Sequence, residues 1–185
     1  MKVAVYGGAS PQEGEEAYED ARRLGFLLGQ SGHTVMTGGY IGVMEAASRG
    51  ANEAGAHVIG STCKQIEDWR GTRANAWVKE EWKHNTLKER MYALIENCDA
   101  AVIMPGGVGT LAELAVMWNE EIISSKPERM MVLVGKGWQK TVSQFLKEMS
   151  VYIHKHGQGK VNFAADVAQA VNLINRHEEN LKKSS

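Results

Sequence analysis

The stretch Met104-Pro-Gly-Gly-Val-Gly-Thr-Leu-Ala-Glu113 decides how the rest of the chain is read. It follows an apolar run, Ala100-Ala-Val-Ile-Met104, and opens into a segment with helical character from Leu111 to Ile123. A buried strand, a glycine turn and a helix N-terminus together make an anion site. Glycine lets the backbone come close to a phosphate, and the free N–H groups of the first helical turn point at it. Pro105, Gly106, Gly107 and Gly109 are therefore candidate phosphate-binding positions, and Thr110 adds a hydroxyl. Glu113 falls about one turn into the helix and is expected to face the same mouth. A carboxylate beside a phosphate cradle does not serve phosphate affinity, because like charges repel. It is placed for chemistry on whatever the phosphate carries. Taken alone, the same residues would also make an ordinary strand-to-helix turn with a first-turn acid favoured by the helix dipole.

Working outward, strands and helices alternate. Val3–Tyr6 reads as a buried strand, followed by the turn Gly7-Gly8-Ala9-Ser10-Pro11. Residues 15–30 carry Ala17, Ala21, Leu24, Leu27 and Leu28 at helical spacing. A short strand, Thr34–Thr37, leads into Gly38-Gly39-Tyr40-Ile41-Gly42 and a helix over 43–54. His57–Gly60 is a third strand, and 61–75 reads as polar and irregular. Residues 77–82 alternate as in a short strand, and 85–97 are helical. Met130–Val134 is a further strand, and 138–149 and 167–181 are the last helices. This alternation predicts one α/β domain over 1–181: a Rossmann-like, doubly wound, mostly parallel sheet with helices on both faces. Lys182-Lys-Ser-Ser185 is expected to fray.

Glycine turns follow three of the strands, and a parallel sheet gathers such turns at its carboxyl edge, where ligands bind. Gly8 and Ser10 of the first turn and Gly38, Gly39 and Gly42 of the second join the phosphate- and nucleotide-binding set, with Met44 just beyond. The first turn lacks G-x-G-x-x-G, and no acidic residue closes the second strand, so a plain NAD site is disfavoured. Arg90 lies on the helix that feeds the Pro105 turn. Its planar fork of donors suits a phosphate or ribose hydroxyls, although a lone helix arginine is more often a solvated charge.

Composition narrows the classes. The 185 residues carry a net charge of −1 and 43% apolar residues, which gives no electrostatic case for nucleic acid or an anionic membrane. No apolar run reaches the length of a membrane span, and no signal peptide is read at Met1-Lys-Val-Ala-Val. Cys63 and Cys98 lack metal or redox spacing and are expected to be free thiols in a reducing cytoplasm. His154 and His156 flank Lys155 without a carboxylate at ligand spacing, so no metal site is expected. Trp69, Trp77, Trp82 and Trp118 are each read as core or interface, or as a platform for a base; Met44 and Met117 as packing, or as pocket lining.

Gly38-Gly39-x-x-Gly42-Val43-Met44, the pair Glu89-Arg90, Lys126-Pro127 and Pro105-Gly-Gly-x-Gly-Thr-x-x-Glu113 resemble the LONELY GUY family. The resemblance covers about Val3 to Phe145. It implies a Rossmann-like fold, dimers, no cofactor, and hydrolysis of the N-glycosidic bond of a nucleoside 5′-monophosphate to free base and ribose 5-phosphate. Arg90 and Glu113 fall on its catalytic pair. The chain departs from the family pattern at Leu87-Lys88, Met91 and Glu45, which leaves base and substrate open. The run from Gly42 to Ala51 also resembles a sister branch that contains molybdenum-cofactor carriers, which bind a phosphorylated pterin without cleaving it. If the first reading holds, Glu113 near a helix N-terminus should stay ionised and act as base toward water. Trp82, Leu87, Met91, Leu94, Met117, Trp118, Ile122 and Ile123 exceed what one buried helix face requires, which predicts a homodimer or higher even oligomer.

Overall fold

The structure, a computed structural model, describes residues 1–123, 129–153 and 155–184. Lys126-Pro127, His154 and Ser185 lie outside the described residues. The elements are β1 (Lys2–Tyr6), α1 (Glu16–Gln30), β2 (Thr34–Thr37), α2 (Val43–Glu53), β3 (Val58–Cys63), α3 (Lys64–Arg70), β4 (Glu80–His84) and α4 (Leu87–Glu96). They continue with β5 (Ala100–Ile103), α5 (Val108–Ile123), β6 (Met130–Val134), α6 (Lys136–Glu148), α7 (Lys155–Gln158), β7 (Val161–Ala164) and α8 (Val167–Ser184).

All seven strands are parallel, in the order β4-β3-β2-β1-β5-β6-β7. The order reverses between β1 and β5, so the turns after these two strands diverge and leave a crevice at the carboxyl edge. The central strands are apolar throughout because both faces are covered. Their alternation sorts side chains between two cores. Val3 and Val5 join α1, α2 and α8 on one face, while Ala4 and Tyr6 join α4, α5 and α6 on the other. This is the doubly wound α/β domain that the alternation of elements predicts.

Several boundaries differ from the expectation. Residues 61–63 extend β3, and 64–70 form α3, a helix of two turns too short to show a period. The edge strand β4 lies at 80–84 rather than 77–82. β7 and α7 are additional; their short run, Val161-Asn-Phe-Ala164, has little apolar contrast with its surroundings. α8 continues through Lys182 and Lys183, the residues expected to fray, and Lys182 Nζ pairs with Glu178 at 3.1 Å one turn earlier. Cys63 and Cys98 are buried free thiols. Among the described residues no helix is long and apolar enough to cross a membrane.

α1 and α2 cross at glycines. A Cβ on Gly25 would overlap the carbonyl of Ala47, and one on Gly50 would overlap the carbonyl of Arg22. The helices touch backbone to backbone, and Arg22 and Glu53 close the outer side of the crossing with an ion pair at 2.8 Å. Gly25→Ala, a favourable change in an isolated helix, is expected here to lower stability by about 1–3 kcal/mol. Denaturant unfolding followed by circular dichroism measures it.

Candidate functional site

The crevice at the reversal of strand order is a cavity of about 640 Å³. Its floor is built from the turns after β1, β2 and β5. Gly8 donates its N–H to the Pro105 carbonyl at 3.1 Å, and Val43 donates to the Gly8 carbonyl at 2.9 Å, so the three turns are tied into one unit. Of the sequence-predicted residues, Gly8, Ser10, Gly38, Met44, Arg90, Gly107, Gly109, Thr110 and Glu113 line the cavity. Gly39 and Gly42 are buried behind the wall, whereas Pro105 and Gly106 are exposed and line an adjoining groove with Leu111 and Trp138. Gly42 has φ +72°, and a Cβ there would strike the backbone of Gly8 and Ala9. It is glycine because the second turn must fold under the first.

The turn after β5 differs from the expected geometry. α5 begins at Val108, so Gly109 and Thr110 belong to its first turn, and Glu113 lies in the second. Gly107 and Gly109 face open space, which leaves the first N–H groups of α5 accessible to an anion. Gly106 lies beneath Thr110, whose hydroxyl occupies the space a Cβ would need.

Arg90 is held before any ligand arrives. Thr86 and Glu89 form a capping box that starts α4: the Glu89 N–H donates to Thr86 Oγ1 at 3.2 Å, and the Thr86 N–H donates to Glu89 Oε2 at 3.1 Å. Glu89 is thus spent on the cap, and its backbone donors hold it below the usual carboxylate range. The cap fixes the phase in which Arg90 leaves the helix. The guanidinium donates through Nε to the Ser61 carbonyl at 2.9 Å, lies 3.6 Å from Met44 Sδ, and stacks over the Tyr40 ring at 5.6 Å. The Tyr40 hydroxyl is itself fixed, donating to the Cys63 carbonyl and accepting from the Cys63 N–H. Arg90 is 6% exposed. It shares its buried side with Leu94 and Ile95, whereas Leu87 is largely open and lines the cavity. Of the stripe Leu87, Met91 and Leu94 expected to fill the core, Leu94 is core and Met91 packs against it, so only Leu87 turns to the cavity.

Glu113 Oε1 faces Arg90 Nη1 at 3.6 Å, with the Glu113 side chain 12% exposed. Its carboxyl is pushed up to about 7 by burial, with Arg90 opposing the shift. This corrects the expectation that the helix terminus keeps Glu113 firmly ionised. One turn further along the helix, the terminal N–H groups are out of reach, and loss of water outweighs the neighbouring cation.

α3 contributes Gln65, Ile66, Trp69 and Arg70 to the outer wall. Of these, only Trp69 is singled out by sequence. The other tryptophans do not line the cavity; Trp118 is core and donates to the Gly157 carbonyl at 2.7 Å. Met117 is core as well. Among the described residues no group of three or more His, Cys, Asp or Glu side chains is arranged to hold a metal ion.

The sequence profile of the SLOG cluster4 family matches residues 1–161. The chain belongs to this family. The cytokinin riboside 5′-monophosphate phosphoribohydrolase of Mycobacterium marinum is 30% identical over 151 residues, 80% of this chain and 78% of that one. The resemblance to the LONELY GUY proteins therefore extends beyond the motifs. Two solved structures share the fold: the molybdenum cofactor binding protein of Rippkaea orientalis (TM-score 0.74, 21% identity, 95% of both chains) and the molybdenum cofactor carrier protein of Chlamydomonas reinhardtii (TM-score 0.72, 23% identity, 95% of this chain and 96% of that one).

Gly38 gives the site a test independent of any substrate. A Cβ at this position would overlap the Arg90 guanidinium and crowd Met44 Sδ. Gly38→Ala is expected to push Arg90 out of its socket, at a cost of about 1–3 kcal/mol in stability. Ligand binding should fall with it, and thermal unfolding with and without ligand measures both.

Proposed function

We propose that the chain hydrolyses the N-glycosidic bond of a nucleoside 5′-monophosphate, releasing free base and ribose 5-phosphate. The observation that carries this reading is the buried Arg90–Glu113 pair, facing across 3.6 Å beside the open N-terminus of α5. A phosphate on the turns after β1 and β5 holds the substrate away from the bond being broken, and that binding energy serves positioning. The ribosyl group becomes cationic as the bond stretches, and an adjacent carboxylate stabilises it.

In this reading Glu113 takes a proton from water. The water oxygen bonds to C1′, and the C1′–N bond breaks with its electron pair going to the base. Glu113 then returns the proton to the departing nitrogen. A carboxyl near 7 suits both steps, since it gains and releases a proton at neutral pH. Arg90 orients the carboxylate and holds ribose hydroxyls.

Chromatography of a panel of nucleoside monophosphates incubated with the protein, without added metal or nicotinamide, is expected to show free base. No base from any of them, together with tight binding of a phosphorylated pterin, would favour a carrier. Glu113→Gln should retain ligand binding and lose turnover by roughly a hundredfold or more, and Arg90→Ala should weaken both. Because the active form at the water-activating step is the deprotonated one, kcat/KM should rise with pH through about 7. The limb for kcat should lie higher, since a bound phosphate anion raises the carboxyl further.

We also infer an even oligomer. Of the residues counted as surplus, Leu94, Met117 and Trp118 are buried within one chain, whereas Leu87 and Ile123 are exposed. A further apolar face lies between α5 and α6, in a groove lined by Leu111, Ile122, Phe145 and Tyr152. Leu111, Phe145 and Tyr152 are each about half or more exposed. A second copy of the chain would cover this face. Light scattering at micromolar concentration should give an even multiple of 20.3 kDa; a monodisperse mass near the single-chain value would overturn it.

A further inference from the structure

The cavity extends well beyond the phosphate cradle. The cradle lies over β1 and β5, whereas α3 follows β3, two strands from β1. At about 4.8 Å per strand the two ends are roughly 10 Å apart, and Arg90 and Glu113 lie between them. A nucleoside monophosphate laid along this line puts its phosphate on the cradle, its glycosidic bond at the pair and its base against α3.

α3 is fixed from behind. Glu67 is buried, and its Oε2 accepts from Lys83 Nζ at 2.7 Å and from Arg73 Nη1 at 3.2 Å. With Glu67 anchored, Gln65, Ile66, Trp69 and Arg70 form the face turned to the cavity. Trp69 is 76% exposed, and the Arg70 guanidinium stacks on its ring at 4.9 Å, giving a flat platform at the mouth. The side-chain polar atoms that remain on this face are of one kind. Gln65 Oε1 already accepts from the Leu87 N–H at 3.0 Å, so the amide offers its NH₂. The indole and the guanidinium have donors and no acceptor. A base with carbonyl oxygens on its far edge matches this set. An exocyclic amine, as on adenine, meets donors only and loses its water partners without replacement.

We propose that α3 is the base-recognition element of this site and selects 6-oxopurine nucleoside 5′-monophosphates over adenine nucleotides. The proposal rests on the phosphoribohydrolase reading for its substrate class, but its recognition step is separable from turnover. Base release from inosine, xanthosine and adenosine 5′-monophosphates should show kcat/KM for the two oxopurines about tenfold or more above that for the adenine nucleotide. Arg70→Ala should collapse the ratio. Gln65→Glu keeps an acceptor for the Leu87 N–H and turns the free end from donor to acceptor, so it should shift preference toward adenine. Trp69→Leu removes the stacking ring together with one donor, so it should weaken all three by roughly tenfold and lower the ratio in part. An adenine nucleotide turned over as well as inosine monophosphate, or a ratio unmoved in Arg70→Ala and Gln65→Glu, would overturn the proposal. If no base is released from any nucleotide, calorimetric titration of the same ligands decides separately. Tighter, Arg70-dependent binding of inosine monophosphate would support base recognition while removing the hydrolase reading. Equal or tighter binding of adenosine monophosphate, or binding of neither, would overturn it.

Discussion

An arginine buried beside a carboxylate is the constraint around which this fold is arranged. Two opposite charges removed from water are tolerated only when further hydrogen bonds hold them. Arg90 meets that condition through elements far apart in sequence: the Ser61 carbonyl in β3, the Tyr40 ring after β2 and Glu113 on α5. Gly38 leaves room for the guanidinium, and the capping box at Thr86 and Glu89 sets its direction. Each contact also fixes a piece of the cavity wall. The pair therefore links the β2–β3 side of the sheet to the β5 side across the point where strand order reverses.

The incomplete compensation at Glu113 is as informative as the pairing. At 3.6 Å the contact is longer than a short bidentate ion pair, and Arg90 spends its Nε on a backbone carbonyl. Burial then outweighs the cation, and the carboxyl moves toward neutrality. A tighter pair would hold Glu113 ionised and serve stability alone. The geometry instead leaves a group that changes protonation near neutral pH beside the open N-terminus of α5, the usual mark of a functional site. The backbone cradle alone would suit a carrier equally well; what separates the two readings is whether that proton moves.

The fold was legible because its signals are local and repeated. Apolar runs of four or five residues ended by glycine turns, with helices of ten or more residues between most of them, leave little besides a parallel sheet. The missed elements are short: α3 has seven residues, and α7 and β7 four each. The turn residues were legible for the same reason, but not the tasks of individual glycines. Gly38, read as a ligand contact, lines the cavity and also leaves the space that Arg90 fills; Gly42, read the same way, lets one turn tuck beneath another. Which atom fills the missing Cβ is a tertiary fact. So is the protonation of Glu113, which depended on whether α5 starts at Val108 or at Leu111.

The outer wall of the site was the least legible part for a physical reason. Residues 61–75 carry no period, and their polar character reads as loop. What makes Gln65, Trp69 and Arg70 neighbours on one face is the burial of Glu67 against Lys83 of β4, a contact between an irregular stretch and an edge strand. Once that anchor is made, the face opposite must point into the crevice, and its chemistry is set by hydrogen bonds already spent. Gln65 could have offered either end of its amide; the uncapped Leu87 N–H takes the oxygen. A satisfied helix terminus thus decides the polarity of a binding wall. On the proposed reading, specificity lies in the segment after β3, while the phosphate and the bond to be broken are addressed by turns that the sheet itself brings together.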